Sequence, residues 1–289
     1  MSDFLLDGKV PSDLSWDVIG GQGFFGGVRA MTTLLTVQSR LVDFDRHFAR
    51  LAKHIEYLQI GEAPRAALLR FEVEQLIQRL GFPKMTRVRV VVFKDDAGVV
   101  RRLISANVED SDALHIIQDR GLRLHPVRDS SWERGSHVKT GIIGSRGVEL
   151  ARAKSGGFDD VLWLNSDGEL TEATWANIFM IGRTGDLVEI ATPPSASGLL
   201  EGVTRQRITE LLGSAQIPVT ERVITEEEIP GFDEAFVTSS IRGLIPITQI
   251  GQHRLHTLRP QSVFRHIARL YQTWLKVDEL NNSGALDLN

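Results

Sequence analysis

Residues 135–179 carry the pattern that most constrains this chain. Lys139 follows a turn-rich run, DSSWERGSH, and leads into a helical pattern. Asp160-Val161-Leu162-Trp163-Leu164 then reads as a strand, a short apolar run bounded by polar residues. A polar turn over residues 165–168 leads into LTEATWANIF, where Glu172 and Asn177 stand among apolar and β-branched neighbours. A lysine entering one sheet and a carboxylate leaving the next strand suit a site that needs both an amine and an anion.

The bulk numbers bound what such a site can be. At 289 residues the chain suits two domains better than one core. With 42% apolar and 24% charged residues, a large core can form without metals or crosslinks. There is no cysteine, which excludes disulfides, thiolate metal sites and a cysteine nucleophile. The net charge of −4 is well mixed along the chain and gives no reason to expect a nucleic-acid partner. The start lacks a basic-then-apolar leader, and no run approaches the roughly 18 apolar residues of a membrane span, so a cytoplasmic location is expected.

Taken in order, residues 1–42 read as short strands and turns. FLLDGKVPSD has the length of a small hairpin, and VRAMTTLLTV, after a glycine cluster, that of a strand pair. DFDRHFARL opens the first clear helix, with Asp43 or Asp45 as cap and Phe44, Phe48, Leu51, Ile55 and Leu58 at helical spacing. A second helix over residues 65–80 stops at Gly81 and Pro83. Residues 86–93 alternate as a strand with Arg87 and Arg89 on one face. Residues 103–122 hold one more strand and a polar connection. Periodicity then fades across LRLHPVRDSSWER, which sets a domain boundary between residues 121 and 134.

Farther on, residues 178–190 read as a hairpin turning over residues 182–186. Gly202-Val203-Thr204 opens a helix, whose unpaired amides and positive dipole end suit a phosphate. A short acidic helix over 225–229 is capped by Thr225. Residues 234–240 read as a buried strand running into the hydroxyls of Ser239 and Ser240, followed by Ile241, Arg242 and Gly243. The closing amphipathic helix covers residues 262–280, with a frayed tail after Asn281.

In this order the motifs resemble the class IV (fold type IV) pyridoxal-phosphate enzymes, which include branched-chain and D-amino-acid transaminases and aminodeoxychorismate lyase. The resemblance rests most specifically on a lysine followed, after one helix, by G-F-D-D-x-L-x-L-N-x-x-G-x-L-T-E-x-T-x-x-N-I-F, and it extends over nearly the whole chain. It implies a two-domain α+β/α/β fold like that of D-amino-acid aminotransferase. A smaller N-terminal α/β domain (1–120) and a linker (121–134) would precede a larger β-rich domain with flanking helices (135–289).

It also implies pyridoxal 5'-phosphate, held by Lys139 as a Schiff base, with Glu172 as the acidic partner of the ring nitrogen. The H-x-x-R-L motif gives Arg50 to the phosphate, joined by Gly202, Val203, Thr204, Ser239 and Ser240. RHIARL in the last helix nearly copies RHFARL, so only its place after the glycine-rich strands selects Arg50 over Arg269. On the substrate side Phe25 and Arg29 match the family's G-D-G-x-F-E-x-x-R, while Gln22 and Gly26 replace its acidic residues. The Arg29 fork serves equally for a substrate carboxylate or a structural salt bridge. Arg87, Arg89, Ile241 and Arg242 complete the candidate substrate residues, a solvated or ion-paired face being the blander account of Arg87 and Arg89. No metal is implied, and the resemblance implies a homodimer acting on small amino and 2-oxo acids.

Amino transfer is the activity expected. The lyase, which would release pyruvate and 4-aminobenzoate, uses the same lysine and carboxylate and is the alternative. A cofactor-binding protein without turnover would show erosion at Lys139, Glu172 or Arg50, and all three are present. A nucleotide-binding protein would carry G-x-x-x-x-G-K or G-x-G-x-x-G between a strand and a helix, and neither occurs in that setting.

Overall fold

The computed structural model describes residues 2–11, 24, 28–129, 138–139, 146–185 and 187–283. Contacts divide the chain into two compact units, Met1–Ser111 with Val138–Ile142, and Asp112–His137 with Ile143–Asn289. The division falls before residue 121, where loss of periodicity set the expected boundary, and Lys139 counts with the first unit rather than the second.

The first unit is built on strands β1 (Ser2–Leu6), β2 (Arg29–Val37), β3 (Arg40–Leu41), β4 (Met85–Lys94) and β5 (Val100–Val108). They form an antiparallel sheet in the order β1-β5-β4-β2-β3. Helices α1 (Phe44–Tyr57) and α2 (Ala66–Arg79) cover one face. Side chains alternate across a strand, so Ala30, Leu34, Val88, Val90 and Ile104 meet Leu51, Ile55 and Leu76 of the helices. The opposite face carries Met31, Val91 and Phe93, with Phe24 edge-on to Phe93 at 5.0 Å. Gln38 and Ser39 both take positive φ, the conformation that a two-residue turn needs to match the twist of β2 and β3.

Helix α3 (Ser111–Arg120) leads into the second unit, which contains β6 (Leu122–Arg128), α4 (Arg146–Ser155), β7 (Asp160–Leu164), β8 (Leu170–Ala173), β9 (Ala176–Thr184) and β10 (Leu187–Thr192). It continues through α5 (Val203–Ser214), β11 (Thr220–Glu221), β12 (Phe232–Ser239), β13 (Gly243–Ile250), β14 (His253–Arg254) and α6 (Val263–Ser283). The strand order is β11-β10-β9-β12-β13-β6-β7-β8, and β8 also pairs with β9. That last pairing closes β9, β12, β13, β6, β7 and β8 into a ring. Leu124, Leu162, Leu170, Ile178, Val237 and Ile247, one from each strand, share its interior.

Outside the ring, Phe179 and Phe236 stack at 4.9 Å and pack against Ile208, Leu212, Phe264 and Ile267 of α5 and α6. Strand β7 shows why its sequence is almost continuously apolar. Leu162 and Leu164 face the interior while Val161 and Trp163 face α4, so neither side meets water.

Three local expectations need correction. VRAMTTLLTV forms the one strand β2 rather than a strand pair. The chain before residue 11 makes a single bridge, Leu6 with Lys9, and β1 pairs along its length with β5 rather than in a hairpin. The polar connection expected before residue 122 is helix α3, which buries none of its residues fully and so shows little amphipathic pattern. Among the described residues no helix is long and apolar enough to cross a membrane.

Helix α6 is anchored by a buried carboxylate. Glu234 accepts from Val263 N at 3.0 Å and from Phe264 N at 2.9 Å, placing its charge at the positive end of the helix. Glu234→Ala should therefore cost about 2 kcal/mol, the usual scale for losing charged hydrogen bonds. A lowered urea midpoint would register the loss, and an unchanged one would refute it.

Candidate cofactor site

In the first unit, α1 turns His47, Leu51, His54 and Ile55 into the protein, with Arg50 half-buried among them. Thr32 lies on the helix-covered face of β2, and its Oγ1 is 2.9 Å from His47 Nδ1. Arg50 Nη2 donates to the same hydroxyl oxygen at 3.3 Å. One hydroxyl thus joins the Arg50 guanidinium to the His47 imidazole. Burial, followed by the charges of Arg50 and Lys139, holds the His47 pKa well below the usual 6.5. His47 is thus held neutral beside two cations. The Lys139 backbone is tied to the same elements. Its N–H donates to His54 Nδ1 at 3.3 Å, and its carbonyl accepts from Met31 N at 2.8 Å.

The other face of this sheet carries Arg29, Arg87 and Arg89. Arg29 donates to the Phe24 carbonyl at 2.6 Å and lies 5.1 Å from that ring's centroid. Arg87 is paired with Glu109 at 3.0 Å. Arg89 has its pKa lowered by partial loss of water and then by the charges of Arg87 and Arg29. Like charges gathered on one face oppose one another unless an anion joins them. Phe25, Gln22 and Gly26 lie outside the described residues.

In the second unit, Glu172 and Asn177 are paired directly across the short turn between β8 and β9. Glu172 Oε2 accepts from Asn177 Nδ2 at 3.1 Å and from Leu200 N at 3.2 Å. Asn177 Nδ2 also reaches Leu200 O at 2.8 Å, which locks the carboxamide. A Cβ at Gly202 would collide with Asn177 Oδ1, so glycine is what lets the start of α5 close on this pair. Helix α5 then begins at Val203 with its first-turn amides unused by the helix. Thr204 Oγ1 lies 3.4 Å from Ser240 Oγ. Ser239 Oγ accepts from Arg242 N at 3.1 Å, which shapes the turn containing Ile241.

Arg205, next on α5, is buried and turned into the fold, its Nη2 on Glu221 at 3.0 Å and Pro193 O at 2.9 Å and its Nε on Thr192 Oγ1 at 3.3 Å. Thr32, His54 and the Leu200 amide were not singled out from sequence. Their parts depend on which backbone or side chain they meet, and no motif carries that. Arg146 is a further such residue. It lies over Trp163 at 5.4 Å, pairs with Asp129 at 3.5 Å and feels the charge of Glu172.

The donor set fits pyridoxal phosphate in kind: an amine, an oriented carboxylate, a half-buried guanidinium and a helix start with hydroxyls. Buried Thr238 Oγ1, which has no hydrogen-bond partner among the described residues, belongs to the residue paired with Asn177 on β9. A family model described as Amino-transferase class IV matches residues 29–250. The chain belongs to the class IV aminotransferases. It is an enzyme of this family and uses pyridoxal phosphate.

A probable branched-chain-amino-acid aminotransferase of Synechocystis is 29% identical over 257 residues, covering 83% of this chain and 80% of that one. Its counterpart in Thermotoga maritima is 25% identical over 221 residues, covering 75% and 76%. The branched-chain aminotransferase of Thermoproteus uzoniensis, solved with norvaline, superposes with a TM-score of 0.80 at 23% identity, covering 94% of each chain. That of Thermobaculum terrenum, in its pyridoxal-phosphate form, gives 0.75 at 18%, covering 93% of this chain and 92% of that one. At these identities the solved structures show the shared fold.

The neutral state of His47 has a pH consequence. Its folded pKa lies below the unfolded value of about 6.5, so its contribution to stability is complete above that pH and declines as acid protonates the unfolded chain. Between about pH 6.5 and the lower folded pKa the slope approaches 1.4 kcal/mol per pH unit. Urea unfolding across this range should show His47→Gln flattening the decline. An unchanged slope would place the acid sensitivity elsewhere.

Proposed function

We propose that this enzyme moves an amino group between an amino acid and a 2-oxo acid, with Lys139 and Glu172 as its catalytic residues. The observation that carries the reading is the Glu172 carboxylate, whose Oε2 accepts from two N–H donors. When bound, pyridoxal phosphate supplies an aldehyde that condenses with amines and a ring that draws electrons from the attached carbon. Glu172 holds a proton at the ring nitrogen. Lys139 would be the covalent attachment point, and its amine would move a proton at the substrate Cα. Arg50, the first-turn amides of Gly202, Val203 and Thr204, and the hydroxyls of Thr204, Ser239 and Ser240 hold the phosphate.

Arg29 and Arg89, with Phe25, receive substrate carboxylates. Arg87, already paired with Glu109, contributes charge, and Ile241 and Arg242 border the substrate. The names of the relatives support branched-chain amino donors, and the arginine face supports a dicarboxylic 2-oxo acid as acceptor. A homodimer in the cytoplasm completes the reading, supported by the family resemblance.

A screen of amino donors against several keto acids should find transfer from branched-chain amino acids to 2-oxoglutarate. Pyruvate release from aminodeoxychorismate, without amino transfer, would overturn the proposal in favour of lyase chemistry.

The near-identical arginine strings give a second test. Arg50 is half-buried beside Thr32, whereas Arg269 is exposed on α6 and donates to Arg265 O at 3.2 Å. Arg50→Ala should cost about 2 kcal/mol or more in cofactor affinity, the scale of a charge-assisted contact to a phosphate. Arg269→Ala should leave affinity unchanged. Cofactor titration of both variants decides, and weakening confined to Arg269→Ala would remove Arg50 from the site.

A further inference from the structure

We infer that His54 is a positioning residue for Lys139, fixing the backbone from which the reactive amine extends. The inference rests on the proposed role of Lys139 and goes beyond it. Three observations carry it. The Lys139 N–H donates to His54 Nδ1 at 3.3 Å, and the Lys139 carbonyl accepts from Met31 N at 2.8 Å. The two peptide groups flanking the lysine Cα are thus held by different elements, α1 on one side and β2 on the other. His54 is itself buried, so its ring cannot swing into water. And His54 follows Arg50 by four residues, which puts the two on one side of α1 about 5–6 Å apart at Cβ.

The chemistry of the contact is specific. A backbone N–H requires an acceptor, so Nδ1 carries no proton and the neutral ring bears its proton on Nε2. An apolar side chain of similar size would fill the space but leave the Lys139 amide without this bond. Asparagine, whose Oδ1 falls near the place of Nδ1, would keep it. Glutamine puts its oxygen nearer the place of Nε2 and would miss. The helix that presents the proposed phosphate arginine would therefore also set where the lysine starts. A reacting amine and its target must meet within a narrow range of geometry, so a loosened backbone should slow the covalent step more than it weakens binding. In that step the Lys139 nitrogen bonds to the aldehyde carbon and one water leaves.

The test measures attachment rather than turnover. Apoenzyme is mixed with pyridoxal phosphate, the linkage is trapped with borohydride at timed intervals, and the modified peptide is quantified by mass spectrometry. His54→Leu should trap at Lys139 about tenfold more slowly. Its affinity for pyridoxine 5'-phosphate, which lacks the aldehyde, should stay within about twofold, as contacts to the phosphate are unchanged. His54→Asn should recover most of the wild-type rate. Should His54→Leu fail to fold, His54→Gln takes its place with the same expected loss. Wild-type trapping rates in the Leu or Gln variant, or an Asn variant as slow as either, would overturn the role of His54. Trapping that persists in Lys139→Ala would instead overturn the assignment of Lys139 on which the inference rests.

Discussion

The pairing of β8 with β9 is the constraint on which the second unit depends. It closes six strands into a ring, and the same register sets Glu172 opposite Asn177. A one-residue slip would turn Ile178 and Met180 out of the ring interior and carry Asn177 away from the carboxylate. Fold and site are therefore stabilised together. The apolar interior fixes the register, and the register aligns two hydrogen bonds on one carboxylate oxygen.

The start of α5 is fitted to that pair. Glycine at position 202 leaves room for the Asn177 carboxamide, and the Leu200 backbone engages both Glu172 and Asn177. A helix N-terminus attracts anions wherever it occurs. What gives this one its chemistry is the set of hydroxyls at Thr204 and Ser240 and the oriented carboxylate held beside its leading loop.

The first unit handles charge differently. Around Thr32 a single hydroxyl mediates between a guanidinium and an imidazole, and burial keeps the imidazole neutral. A protonated His47 would add a third cation to Arg50 and Lys139 in a region poor in water, which is why its pKa falls. On the opposite face the arginines meet other partners: Glu109 takes Arg87, and the Phe24 carbonyl and ring take Arg29. The same strands thus carry an internal polar network on one side and a cationic surface on the other, separated by the alternation of side chains.

Sequence by itself determined the family, the strand–turn–strand around Glu172 and the helix beginning at Val203. These are local matters of apolar runs, turn residues and a long ordered motif, and short-range physics decides them. It did not reveal α3, whose surface position leaves little amphipathic pattern, nor the partner of β1, which lies far along the chain. Tertiary structure alone decided that Arg205 serves the fold rather than an open phosphate site, that His54 meets the Lys139 amide, and that Arg87 is paired while Arg50 is set beside Thr32. Each of those outcomes depends on a hydrogen bond or ion pair between residues distant in sequence. A side chain's type states what it can donate or accept, and only the folded backbone decides what stands within reach.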